Sequence, residues 1–169
     1  MAADELIKKL ELVPYPSIVC KNFHFKELYR SDLKVKPLSD EREERNAFTT
    51  IYFLAREGEY GLWRRLKSDE TFFYHKGNPM RIAVIKPDGK LEDVLVGDKL
   101  KNEQARYNYT ILAKSWFNFC LGQGDVDYGL FSGAVAPGFD HDDIEVADLA
   151  KLVAEFPQHK NIIEEFTNK

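Results

Sequence analysis

Leu6, Ile7 and Leu10 recur at helical spacing near the N-terminus, with Lys8, Lys9 and Glu11 between them. This predicts an amphipathic helix over about residues 3–12, with Asp4 in its first turn and Pro14 and Pro16 stopping it. From Phe23 to about Ala136 the pattern shifts to short aromatic and β-branched runs. Thr49–Leu54, Thr71–His75, Arg81–Ile85, Leu91–Val96, Tyr107–Leu112, Trp116–Leu121 and Tyr128–Ala136 read as strands. Lys76-Gly77-Asn78-Pro79 and Pro87-Asp88-Gly89-Lys90 read as turns, since glycine supplies a positive φ. Short strands at roughly ten-residue spacing point to an all-β sandwich or barrel. No helical segment lies between them to supply strand-helix-strand alternation. After Pro137-Gly138 the helical period returns. Val146, Leu149, Leu152, Val153 and Phe156 form one apolar stripe, and Asp142, Asp143 and Glu145 suit a helix start. Pro157 breaks it, and Ile162, Ile163 and Phe166 suggest a last short helix. The expected organisation is one domain over residues 1–169, with a β core over about 23–136 and terminal helices over about 3–12 and 142–166.

Composition narrows the class. The 169 residues are 44% apolar and 31% charged, enough apolar content for a core and too much for a disordered tail protein. A net charge of −4 argues against a general nucleic-acid partner. No apolar run reaches the roughly 18 residues a membrane span needs, so no membrane association is expected. The first residues carry no apolar segment of the signal-peptide kind, which makes the cytoplasm the expected location. Cys20 and Cys120 stand far apart without metal-type spacing and read as reduced thiols.

The candidate chemistry lies in one frame. Gly58, Arg64, Leu66, Glu70 and Gly77 fall at the spacing of the metal-binding cupin pattern, but Arg64 and Leu66 stand where that pattern has its two histidines. Phe117 stands where the second cupin block has its histidine. A closer likeness covers nearly the whole chain. Phe25–Ser31, Thr49–Leu54, Trp63–Glu70, Pro87–Lys90 and Val135–Asp140 resemble, in order, the cupin group called domain of unknown function 985, whose members are labelled predicted sugar epimerases. The resemblance implies a jelly-roll, double-stranded β-helix fold similar to the dTDP-sugar epimerases. It also implies a homodimer and a pocket inside the barrel. Fold alone does not fix the activity. The chain departs from the group at several positions. Tyr15–Val19 replaces a His-Pro-Glu-Gly-Gly stretch, Arg64 replaces the histidine of Trp-His-Arg, Phe73 replaces another histidine, and Asn118 replaces a common glutamine.

With those histidines gone, no metal and no cofactor is expected. Glu70 is the leading candidate, as a general base or as a ligand-orienting acceptor. The competing reading is an ion pair with Arg64 or Arg65, which would depress its pKa. Arg64 and Arg65 could clamp a carboxylate or phosphate, and a buried Arg64 needs an anion from somewhere. Trp63, Phe73 and Trp116 could line a pocket that stacks a sugar or base. Asn118, two residues beyond Trp116, would add an amide on the same strand face. His75 would approach the pocket if Phe73 does. Arg30 would reach the pocket mouth or a dimer interface, and Asp140 would cap the C-terminal helix. The leading expectation is a metal-independent cupin that binds a small polar or anionic molecule between Arg64, Glu70, Trp116 and Asn118. An epimerase or isomerase is the first alternative, with Glu70 as base and Tyr52 or Tyr74 as acid. A dimeric interaction protein with a filled barrel is the second.

Overall fold

The expected strands form, and they assemble into two six-stranded sheets around one aromatic interior. The computed structural model describes residues 3–16, 20, 23–38, 41–58 and 61–167. Ser17–Val19, part of the stretch that departs from the group's pattern, lie outside the described residues. The chain begins with α1 (Ala3–Leu10), β1 (Val13–Pro14), β2 (His24–Arg30), β3 (Lys34–Val35), β4 (Arg45–Asn46), β5 (Thr49–Arg56) and β6 (Arg64–Arg65). It continues with β7 (Asp69–Gly77), β8 (Met80–Ile85), β9 (Leu91–Val96), β10 (Ala105–Arg106), β11 (Asn108–Ile111), β12 (Trp116–Leu121) and β13 (Tyr128–Ala136). It ends with β14 (Glu145–Val146), α2 (Leu149–Glu155) and α3 (Lys160–Glu165). One sheet has the order β1-β2-β5-β13-β7-β11, the other β10-β9-β8-β12-β6-β14. All neighbours in these two sheets are antiparallel except β9 and β10. This is the all-β class read from the strand spacing, in the jelly-roll form that the resemblance implies.

Tight turns hold the hairpins. Gly77 adopts φ 91°, and a Cβ there would lie 2.2 Å from the Tyr128 carbonyl oxygen, so only glycine fits. Gly89 turns β8 into β9 at φ 80°.

Alternation along β5, β7 and β13 sends Ile51, Phe53, Glu70, Phe72, Phe131 and Gly133 inward. Their neighbours point outward. Tyr52 and Leu54 lie beneath α1, whose Ala3 and Leu6 face them. Asp4 and Glu5 at the start of α1, with Lys8 and Lys9 at its end, complement the helix dipole.

β12 is buried on both faces. Phe117 and Phe119 enter the barrel, whereas Trp116 and Cys120 join an outer layer with Leu152, Ile163 and Phe166. Asn118 also faces this layer. Its Nδ2 donates to the Phe166 carbonyl at 3.1 Å, and its Oδ1 accepts from the Phe119 N–H at 2.8 Å. Trp63 Nε1 donates to the Ile163 carbonyl at 3.1 Å. The last two helices are thus pinned to the outer face of the second sheet. Cys20 and Cys120 are both buried and form no disulfide with each other, lying on opposite sides of that sheet.

The C-terminal helix starts later than its acidic run suggested. Asp143 is drawn into a buried ion pair with Arg45 and a second pair with Arg42, and Asp142 sits in a 3-10 turn. Val146 pairs with Arg64 as part of β14. Asp148 caps α2, accepting from the Ala150 and Lys151 N–H groups. Asp140 does act as a cap, but of the 3-10 turn rather than of α2. Among the described residues, no helix is long and apolar enough to cross a membrane.

Asn118→Ala leaves the Phe166 carbonyl and the Phe119 N–H without their buried partner. We expect it to cost about 2–4 kcal/mol in urea unfolding. A loss below about 0.5 kcal/mol would show that Asn118 is not what holds the C-terminal layer.

Candidate functional site

Depth in the barrel follows residue order. Along β5 the inward positions run Thr49, Ile51, Phe53 and Ala55, from the open end to the closed one. Phe53 packs against Phe23, Phe72, Phe119 and Phe131 with ring centroids 5.4–5.8 Å apart. These rings fill the middle of the barrel and leave a cavity of about 470 Å³ at the open end. Its walls are largely apolar and include Phe25, Ile51, Val135 and Phe139. Gly133 keeps the space open, because a Cβ there would come within 3.3 Å of Ile51 and 3.7 Å of a Glu70 oxygen.

The mouth is built from the loop after β13. Arg45 Nη2 donates to the Gly138 carbonyl at 2.7 Å while pairing with Asp143. The Phe139 N–H donates to Thr49 Oγ1 at 2.9 Å, and Arg30 Nη1 donates to the Phe139 carbonyl at 2.9 Å. Arg30 is also engaged by Glu27 at 2.7 Å. The loop therefore presents Phe139, Asp140 and His141 at the rim in a fixed arrangement, with the Phe139 and His141 rings 5.3 Å apart.

Glu70 lines this cavity at its inner side and is 9% exposed. Its carboxyl makes no hydrogen bond or ion pair to any described residue. Burial pushes it up to about 7, and the positive charge of Arg64 offsets only part of that rise. This reverses the expected depression: Arg64 lies near enough to act through its field but forms no ion pair, so loss of hydration wins. Arg64 is itself 5% exposed. Its guanidinium lies 4.5 Å from the ring centroids of both Phe117 and Phe119, and Nη1 donates to the Leu62 carbonyl at 3.1 Å. Tyr15 lines the same cavity, its ring 4.9 Å from that of Phe25. Burial pushes its hydroxyl up to about 12, so it keeps its proton at neutral pH.

The structure brings together Glu70, Arg64 and, at the mouth, Arg30. It places the other candidates elsewhere. Arg65 points outward, bidentate to Glu145 at 2.8 and 2.9 Å and over the Trp116 ring. Trp63, Trp116 and Asn118 belong to the outer layer under the last helices. Phe73 is on the outer face of β7 and 39% exposed. His75 shares that face, its ring against Tyr52 and its Nε2 hydrogen-bonded to the Ser132 hydroxyl. Tyr52 faces α1, and the Tyr74 hydroxyl donates to the Gly77 carbonyl. Neither tyrosine reaches the cavity; Tyr15 does. Tyr15, Thr49 and His141 were not singled out from the sequence. Their partner strands are distant in the chain, so only the register β2-β5-β13-β7 gathers them.

The cupin superfamily group DUF985 matches residues 4–147, which is most of the chain. This chain belongs to that family. A hypothetical protein from Leishmania major is 32% identical, with 98% of each chain covered and a TM-score of 0.86. A Shewanella oneidensis protein is 30% identical, covering 98% of this cupin and 97% of its own chain, with a TM-score of 0.81. The polyketide cyclase RemF of Streptomyces resistomycificus shares the fold at 12% identity, with 92% and 89% coverage and a TM-score of 0.51. No functionally curated protein matches.

Cupins with the full pattern hold a metal through its histidines. The residues here do not fit one. Arg64, Leu66 and Phe117 offer no ligand atom, and Glu70 stands alone. Among the described residues, no group of three or more His, Cys, Asp or Glu could hold an ion.

The Glu70 carboxyl keeps its proton to higher pH in the folded chain than in the unfolded one. Between the ordinary 4.5 and about 7 the native state binds more protons, so stability falls as pH rises through that window. The difference is worth about 3 kcal/mol. Glu70→Gln should match the parent near pH 4.5 and exceed it by about 3 kcal/mol at pH 8, read by urea unfolding at both values. A difference that does not change with pH would show that Glu70 titrates as an ordinary carboxylate.

Proposed function

We propose that this cupin binds a small polar organic molecule in the open end of its barrel, with Glu70 as the buried group that reads it. The observation that carries this reading is a cavity of about 470 Å³ with, on its inner wall, a carboxyl that finds no partner among the described residues. That volume is within the range of small-molecule sites. An unpaired buried carboxyl is costly to the fold, and a ligand hydroxyl or amide would supply its missing hydrogen bond. The apolar walls suit the less polar face of the same molecule. A filled barrel, in which a dimer surface does the work, would have no use for this space.

The test is thermal shift with sugars, sugar phosphates, sugar nucleotides and small carboxylates. A compound at a hundred times its Kd stabilises by about 2.7 kcal/mol, a rise of roughly 5–10 °C for a domain of this size. Glu70→Leu should abolish the rise while leaving the protein folded. Silence across the panel, or a shift indifferent to Glu70→Leu, would count against a Glu70-centred site.

A second reading is proton transfer beside a carbonyl, as in a sugar epimerase or isomerase. It is favoured by a Glu70 pKa of about 7, suited to acid-base work at neutral pH, and by the protonated Tyr15 on the same cavity. Deuterium from solvent should then enter a sugar that binds. Glu70→Gln should stop the exchange without stopping binding. A bound sugar that takes up no deuterium in the parent protein sinks this reading.

A further inference from the structure

Behind Glu70 lies a second, smaller chamber. It has a volume of about 40 Å³ and is bordered by Cys20, Phe23, Phe53, Phe72, Phe119 and Arg64. Tyr15, Ile51 and Glu70 line both spaces, so the chamber joins the larger cavity at Glu70. Arg64 is its one cationic wall. A guanidinium carries five N–H donors. Among the described residues only Nη1 finds a hydrogen-bond acceptor, the Leu62 carbonyl, and no carboxylate pairs with Arg64. The Phe117 and Phe119 rings give such a cation less than its burial costs. A buried cation with donors to spare, facing a chamber large enough for a few atoms, is half of an ion pair.

We propose that Arg64 is an anion subsite and that the ligand is a small hydroxycarboxylate, its carboxylate against Arg64 and its hydroxyl against Glu70. This rests on reading the cavity as a ligand site. The chamber has room for a planar carboxylate but not for a tetrahedral phosphate with its hydration, and one guanidinium balances one negative charge. The groups facing Glu70 are Arg64 from β6, Tyr15 and Cys20 on the N-terminal segment, and Glu27, Arg30, Asp140 and His141 toward the mouth. Arg30 is engaged by Glu27, and Asp140 lies 3.9 Å from Arg42, so Arg64 is the cation left for the anion. A carboxylate entering beside Glu70 adds a second negative charge in a dry space. Glu70 therefore takes up a proton from solvent as the anion binds. Burial already holds it near the point where this is easy.

The experiment is isothermal titration calorimetry with glycolate and D-gluconate, using neutral D-glucitol and inorganic phosphate as comparators. At pH 7.5, two buffers of different ionisation enthalpy report proton uptake, expected to exceed about half a proton per carboxylate bound. Affinity should fall roughly tenfold per pH unit above pH 7.5. Glu70→Gln should still bind the carboxylate, with no proton uptake and no pH dependence. Arg64→Met, which keeps the packing against the two rings, should lose the carboxylate by about a hundredfold or more. Carboxylate binding that survives Arg64→Met, or that takes up no proton in the parent protein, overturns the subsite. So does binding of phosphate as tight as that of the carboxylates. If glucitol binds and the carboxylates do not, the subsite falls and the cavity reading stands. If no compound binds the parent protein in this or the wider panel, both fall. Should Arg64→Met fail to fold, proton uptake by the parent and its loss in Glu70→Gln decide the matter.

Discussion

Phe53 and the four rings around it, Phe23, Phe72, Phe119 and Phe131, determine what the rest of the barrel can be. Four phenyl groups from strands of both sheets, with Phe23 just before β2, close the middle of the fold. Everything on the Ala55 side of that plug is ordinary core, where Met80, Ile82 and Val96 pack without exposure. Everything on the Thr49 side is wall. The plug also sets the dielectric in which Glu70 and Arg64 must sit, because Phe72 and Phe119 border the chamber that holds them. A polar side chain two residues closer to the closed end would meet only hydrocarbon.

The balance at Glu70 follows from distance. Two unit charges 4 Å apart attract by about 4 kcal/mol at an effective dielectric near 20, an attraction that weakens as they separate. Because Arg64 and Glu70 do not close to ion-pair range, the attraction is reduced and burial wins. The aromatic contacts hold the guanidinium where it is. Phe117 and Phe119 take the cation on their ring faces, so Arg64 has a resting place that is not the carboxyl. The same contacts that stabilise the arginine keep the site from neutralising itself.

This division explains which parts of the molecule could be read from the chain. The strands were legible because β-branched and aromatic runs ended at Gly77 and Gly89, whose positive φ is a local demand. Arg64 and Glu70 were legible as one site because their spacing belongs to a recognisable frame. Trp116 and Asn118 were placed on the wrong side because β12 is buried on both faces. A strand with cover on either side shows no polar alternation, so its parity carries no signal. Tyr52 misled for the same reason, since α1 covers the outer face of β5. The direction of the Glu70 pKa could not be foreseen either. A sequence names an arginine neighbour but gives neither its separation nor the depth of the carboxyl. The late start of α2 followed from Arg45, nearly a hundred residues away, drawing Asp143 into a loop.

Arg64 in a histidine's place could be taken for decay of a site. The geometry argues otherwise. A residue left over from a lost metal centre would be expected to collapse onto Glu70, since a salt bridge would pair two otherwise uncompensated buried groups. Here the two groups form no ion pair, and among the described residues each has hydrogen-bonding capacity unspent, Arg64 on the smaller chamber and Glu70 where it meets a cavity of about 470 Å³. Gly133 keeps side-chain atoms out of that larger cavity beside Glu70, at a position where a Cβ would crowd Ile51. If Arg64 moved closer to Glu70, the pair would close and the chamber would be inert. If it were farther away, its offset would weaken and the carboxyl would hold its proton to higher pH. Burial, offset in part by the Arg64 charge, leaves Glu70 at about 7, able to hold or release a proton near neutral pH.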